Sequence, residues 1–233
     1  MLSSYLILEA DKEYLDSLVC AKITSGEAVT MGLTLIVFYV TIIAIINHVN
    51  CQMLNFGPCP IVETVNFFDI ERFLGSWYVI ERYPTWYEDG QCSHKRFEAC
   101  GRRIEIEHVF IREGVQFVLQ VNSSYNPGDE AVFQMQDNII ERIGIPIEVV
   151  ATDYSEHALL YGCKYHPYHN IKYTLAWILS RNQTLPEQTI NDLKTTFNKI
   201  PYSSLSFLER VRHDSDICAH SWTAHVENND IGK

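Results

Sequence analysis

The chain has 233 residues, 47% of them apolar and 12% aromatic, with a formal net charge of -11 at neutral pH. That apolar share supports a sizeable core in one large β domain or two smaller ones, and it excludes a disordered or fibrous chain. The acidic balance argues against nucleic acid as a partner, because a phosphate-binding module presents a basic face and clusters such as Arg102-Arg103 are short here.

Residues 1–30 carry five acidic side chains and two lysines, and an apolar run of 16 residues, MGLTLIVFYVTIIAII, follows from Met31. The run is short for a membrane span, which needs about 20 residues, and it suits the core of a signal peptide. Val49 and Cys51 then stand at the -3 and -1 positions of a cleavage site, which makes Gln52 the mature N-terminus and leaves no stable membrane span in the mature form. A signal's leading region is normally short and positive, so residues 1–30 read as a disordered upstream extension or alternative start, 31–51 as the signal peptide, and 52–233 as one folded domain with a short C-terminal tail. An uncleaved anchor is the alternative for the apolar run.

Cleavage leaves five cysteines, Cys59, Cys92, Cys100, Cys163 and Cys218. In an oxidising compartment four of them can form two bridges, with one left over. No C-x-x-C pair is present, so a structural zinc site has no support. The sequons at Asn122 and Asn182 agree with secretion and glycosylation.

After GPCPIVETVNFFDIERF the chain breaks into short β-like segments separated by turn residues, the spacing of an all-β sandwich or barrel. The first is expected over 76–87 and the second over 91–98. RIEIEHVF then alternates strictly, with Ile104, Ile106, His108 and Phe110 on one face and Arg103, Glu105 and Glu107 on the other. Glu113-Gly114 makes a tight hairpin into VQFVLQVN, whose Val115, Phe117, Leu119 and Val121 share a face opposite Asn122. Further strands are expected over 131–137, 147–153, 157–164 and 172–180. Helix follows in TLPEQTINDLKTTFNKI. Thr184 and Glu187 stand in capping-box register there, Pro186 falls in the first turn, and Ile190, Leu193, Phe197 and Ile200 form one apolar stripe.

GSWY at 75–78, ATDYSEHALLYGC at 151–163 and AWILSRN at 176–182 have the order and separation of the three signature blocks of the lipocalins. With GPCP and FD ahead of the first block and LPEQTINDLK after the third, residues 59–218 resemble that family's apolipoprotein D, Lazarillo and bilin-binding branch. The resemblance implies an eight-stranded antiparallel up-and-down barrel with a C-terminal helix packed outside. It implies structural roles for Gly75, Trp77, Thr152, Asp153, Tyr154 and Arg181, with the Arg181 guanidinium crossing the Trp77 indole at the closed end. Taken without the other two blocks, Trp77 is plain core and Arg181 plain surface. The family pattern also implies bridges Cys59–Cys163 and Cys92–Cys218. Cys100, in the turn EACGRR, is then a spare thiol or a site of intermolecular bridging.

His166 and His169 in KYHPYHN have no acid or thiol at helpful spacing, which makes them a surface loop and not a metal site. No G-x-S-x-G, H-E-x-x-H or phosphate-binding glycine loop is present. The family's prostaglandin D synthase uses a cysteine inside its cup, whereas the cysteines here are claimed by bridges or lie in a turn, so no catalytic residue and no cofactor is expected. Ile104, Ile106, Phe110, Phe117, Leu119, Phe133, Met135, Tyr173, Leu175 and Trp177 fall on faces that can line a cup, or equally fill a core. Tyr83, Trp86 and Tyr87 are expected to form an aromatic lip at its mouth. The function implied is a secreted, extracellular carrier of a small hydrophobic ligand such as a lipid, fatty acid, sterol, retinoid or bilin, held non-covalently. The alternative is an extracellular recognition protein of the Lazarillo kind, whose partner is a cell-surface receptor.

Overall fold

A computed structural model of the chain describes residues 54–85, 87–101, 103–124, 131–135 and 144–226. The expected extension and signal peptide, and Trp86 of the expected lip, lie outside the described residues. Strand β1 (Leu54–Phe56) and the single helical turn α1 (Ile70–Phe73) precede eight strands in sequence order. These are β2 (Gly75–Arg82), β3 (Gln91–Cys100), β4 (Arg103–Arg112), β5 (Val115–Ser124), β6 (Val132–Met135), β7 (Pro146–Thr152), β8 (His157–His166) and β9 (Ile171–Ser180). Each pairs antiparallel with the next, and β9 pairs with β2, so the sheet closes into a barrel. Helix α2 (Glu187–Phe197) follows, then β10 (Glu209–Arg210) and β11 (Trp222–Val226).

Alternation along the strands sorts the core into two faces. Inward lie Trp77, Val79, Phe97, Ile104, Ile106, Val121, Phe133, Leu160, Leu175, Trp177 and Leu179, in one buried cluster. Outward, Ile80, Leu159, Tyr161, Ala176 and Ile178 meet Ile190, Leu193 and Phe197 of α2 together with Ile200, so the expected helical stripe is the face that packs on the barrel wall. A register shift between Val79 and Glu81 bulges β2. Such a bulge re-aims side chains and sharpens the local bend.

The capping box does not form. Pro186 takes the N-cap position with no side-chain cap, so Glu187 opens the helix instead of standing three residues inside it. The first barrel strand stops at Arg82 rather than running to residue 87, and Pro84, which lacks an N–H to donate, lies in the loop that follows. Cys100 is the last residue of β3, paired with Arg103, and the turn begins after it; its thiol is free and exposed.

Three short strands were not expected, and each patches a gap in the barrel wall. β1 lies on Ile171–Tyr173 of β9, beyond the stretch that β2 covers. β10 lies on Glu81 and Arg82 of β2, beyond the stretch that β3 covers. β11 runs parallel to Val115–Leu119 of β5, which reaches β6 only at Ser123 and Ser124. The disulfides Cys59–Cys163 and Cys92–Cys218 join the chain near these patches to β8 and β3, with Cα separations of 5.8 and 5.7 Å.

Candidate ligand-binding site

One end of the barrel is shut. Gly75 adopts φ +97°, a conformation that disfavours any side chain, and a Cβ there would stand 3.3 Å from Arg181 Nη1. The Arg181 guanidinium lies 3.6 Å from the Trp77 ring centroid. It donates through Nη1 to Ser76 O, through Nη2 to Arg72 O and Phe73 O, and through Nε to Tyr154 O. Trp77 is fully buried, donates from Nε1 to Phe73 O, and stacks on the Phe73 ring. Phe97 and Phe133 complete the aromatic packing at this base.

The β7–β8 turn holds the same end together. Asp153 Oδ1 accepts from the backbone N–H groups of Ser155, Glu156 and His157, and Thr152 Oγ1 accepts from Tyr154 N and donates to His157 O. Tyr154 Oη accepts from Asp69 N, which ties the turn to the start of α1.

At the far end Phe110 and Phe117 stack at 5.3 Å and pack with Leu119, Tyr87 and Val226. Tyr83 is not part of that cluster. It lies on the outer face against Phe197 and Phe207, donating its hydroxyl hydrogen to Ser204 O, because the bulge in β2 turns it away from the interior. Of the other residues expected to line a cup, Ile104, Ile106, Met135, Leu175 and Trp177 are buried on the inner face, Tyr173 is half-buried against it, and Phe133 belongs to the base.

Between base and far end lies a feature that alternation alone did not expose. The loop after β2 folds inward, Glu88 N donating to Thr85 Oγ1, and delivers the fully buried Glu88 carboxylate among β3, β4 and β9. Gly90 permits this, since a Cβ there would come within 2.4 Å of Ile111 O. Glu88 Oε1 accepts from Ser93 Oγ, and Oε2 accepts from Lys95 Nζ at 2.7 Å and Trp177 Nε1 at 3.2 Å. Arg82 Nη1 stands 3.6 Å from Oε1 while Nη2 donates to Gly90 O. Lys95 Nζ also lies 2.7 Å from His108 Nδ1 and 4.5 Å from the Trp177 ring centroid.

Burial pushes the Glu88 carboxyl up, but Lys95, aided by His108 and Arg82, outweighs it and holds the group well below its ordinary value. Burial draws Lys95 down to about 8 against the pull of Glu88, and burial together with the Lys95 charge draws His108 down to about 4. At neutral pH the cluster therefore holds one anion, two cations and a neutral imidazole. Three polar atoms of the cluster, Arg82 Nε, Arg82 Nη1 and His108 Nε2, are buried with no hydrogen-bond partner among the described residues. A buried donor left unmet costs about 1–3 kcal/mol. A separate surface hollow of about 490 Å³, lined by Ile80, Leu185, Arg210 and His213 among others, lies outside the wall beside α2 and shares none of these groups.

A closed eight-stranded barrel with an arginine-over-indole base and an apolar, locally charged interior has the architecture of a calyx. A family model described as "Lipocalin / cytosolic fatty-acid binding protein family" matches residues 74–212, and the chain belongs to that family. It is 28% identical over 153 residues to insecticyanin-A of Manduca sexta, covering 62% of this chain and 81% of the relative. It is 29% identical over 204 residues to apolipoprotein D of Oryctolagus cuniculus, covering 78% and 97%. With the bilin-binding protein of Pieris brassicae it shares 23% over 152 residues, 63% of this chain and 79% of the relative. Among solved structures, insecticyanin from the tobacco hornworm superposes with a TM-score of 0.66 at 25% identity, covering 75% of this chain and 96% of that one. Lobster apocrustacyanin A1 gives 0.60 at 19%, covering 70% and 92%, a likeness of fold.

Proposed function

We propose that the protein is a secreted carrier that takes a small hydrophobic ligand into its barrel reversibly and moves it through an aqueous extracellular compartment. The observation that supports this best is the inner face itself. Ile104, Ile106, Leu175 and Trp177 present apolar surface above a base that Arg181 and Trp77 seal, so a guest has one end by which to come and go. Relatives include a protein named for binding bilin, as well as insecticyanin and apolipoprotein D. Affinity comes from burial, roughly 25 cal/mol for each Å² of apolar ligand surface removed from water, less the costs of ordering. No bond is made or broken in this reading.

Two disulfides favour an oxidising compartment. Asn182 is exposed in the turn after β9, and Asn122 is half-buried on the outer face of β5, opposite Glu105; both are read as glycan sites. Native mass spectrometry of protein purified from its own tissue tests the proposal. A stoichiometric lipid or pigment is expected, on a polypeptide beginning at Gln52. An empty barrel that also fails to bind fatty acids, sterols and bilins in titration refutes it.

A further inference from the structure

We infer that the barrel interior selects an apolar molecule bearing a carboxylate, whose oxygens are received by the Nε2–H of His108 and the guanidinium of Arg82. This rests on the carrier reading and adds the chemistry of the guest's polar end.

The argument begins with proton bookkeeping at His108. An ammonium only donates, so the 2.7 Å contact with Lys95 Nζ makes His108 Nδ1 an acceptor. Nδ1 is 3.7 Å from Glu88 Oε2, a full ångström longer than its contact with Lys95, so the ammonium sets its role. A neutral imidazole that accepts at Nδ1 carries its proton on Nε2. That donor is on a residue 3% exposed, on the inner face beside Phe110 and Tyr87, and it has no partner among the described residues.

The other unmet groups agree in kind. Arg82, 4% exposed, has two unmet donor atoms, Nε and Nη1. Glu88 does not satisfy them, because Arg82 Nη1 stands 3.6 Å from Oε1, an ion pair longer than a hydrogen bond. Arg82 Nη1 and His108 Nδ1 stand 3.6 and 3.7 Å from the two oxygens of that one carboxylate, so both side chains surround Glu88. Arg82 and Lys95 together outnumber Glu88 by one positive charge. A hydroxyl guest supplies an acceptor but leaves the charge; an ammonium guest adds to it. A carboxylate answers both, and charge-assisted hydrogen bonds are the stronger kind.

Calorimetric titration of the delipidated full chain with lauric acid, lauryl alcohol and laurylamine tests this. The acid is expected to bind about tenfold more tightly than the alcohol, with the amine weakest. His108→Phe should weaken the acid more than the alcohol and so close most of the gap between them, whereas His108→Gln, which keeps a donor, should retain most of the preference. Acid and alcohol binding alike, or an acid preference untouched in His108→Phe, overturns the inference while the carrier reading stands. Binding by none of the three overturns the inference, and the carrier reading with it only when sterols and bilins also fail to bind. Nitrogen-15 histidine spectra of the unaltered protein give a readout independent of variant folding. The ligand-free protein should show the Nε2–H tautomer at His108, with that proton moving downfield when lauric acid is added; the Nδ1–H tautomer, or no movement, refutes the assignment.

Discussion

Glu88 joins strands that are not neighbours in the sheet. Its carboxylate receives Ser93 and Lys95 from β3 and Trp177 from β9, with Arg82 of β2 alongside. Breaking a buried ion pair by removing one partner strands the other charge, so Glu88→Gln should lower the unfolding free energy by about 3–5 kcal/mol in urea titrations. The double variant Glu88→Gln/Lys95→Met should recover part of that loss, since it removes one of the stranded cations. Protonation acts on the same cluster. The folded-state value of His108 lies near 4, below the ordinary 6.5, so the unfolded chain binds more protons between these limits. Its contribution is complete above pH 6.5 and is lost as pH falls toward 4, at up to about 1.4 kcal/mol per pH unit. Burial lowers His94 and His213 as well, which adds slope in the same sense. Urea midpoints across that window check the sign, and His108→Gln should flatten the curve. The sequence held half of this site. His108 alternates in phase with Ile104 and Ile106, and Lys95 alternates with Phe97, so both inward positions were readable. Glu88 and Arg82 were not, because a loop of unknown path and a strand bulge decide where they point.

Among the elements, the eight barrel strands and α2 were legible from period and spacing, since each buries a face wide enough to pattern its own sequence. The patches β1, β10 and β11 have two to five residues and draw their order from edges left unpaired by longer strands, which no local pattern records. The same dependence on neighbours misled the capping-box expectation at Thr184 and the placing of Tyr83 on a lip. Arg181, just after β9, ties together α1, β2 and the β7–β8 turn, its three nitrogens serving carbonyls from all three. Arg181→Ala should therefore cost about 2–4 kcal/mol, combining the lost cation–π contact with unmet hydrogen bonds. Arg181→Lys should fall between, as one ammonium cannot replace a planar fork. Thermal and urea unfolding would measure both, and a loss below 1 kcal/mol for alanine would mean the seal contributes little.

At the scale of the whole molecule, both ends of the described chain are used to finish the wall, and a disulfide secures each. Cys92→Ala/Cys218→Ala should reduce stability by about 2–4 kcal/mol. Hydrogen exchange should quicken across residues 209–226 and leave β8 and β9 protected; uniform loosening of the barrel would contradict the patch reading. The bridges also interlock, because Cys92 lies between Cys59 and Cys163 while Cys218 lies beyond them. Tension applied across Cys59 and Cys218 is then borne by the shortest covalent path, the 33 residues from Cys59 to Cys92. A taut oxidised molecule extends by no more than roughly 120 Å along that path, whereas a reduced one pays out roughly 550 Å. Optical tweezers would see a tether whose slack is set by the Cys92–Cys218 link, whatever happens to the sheet between the ends.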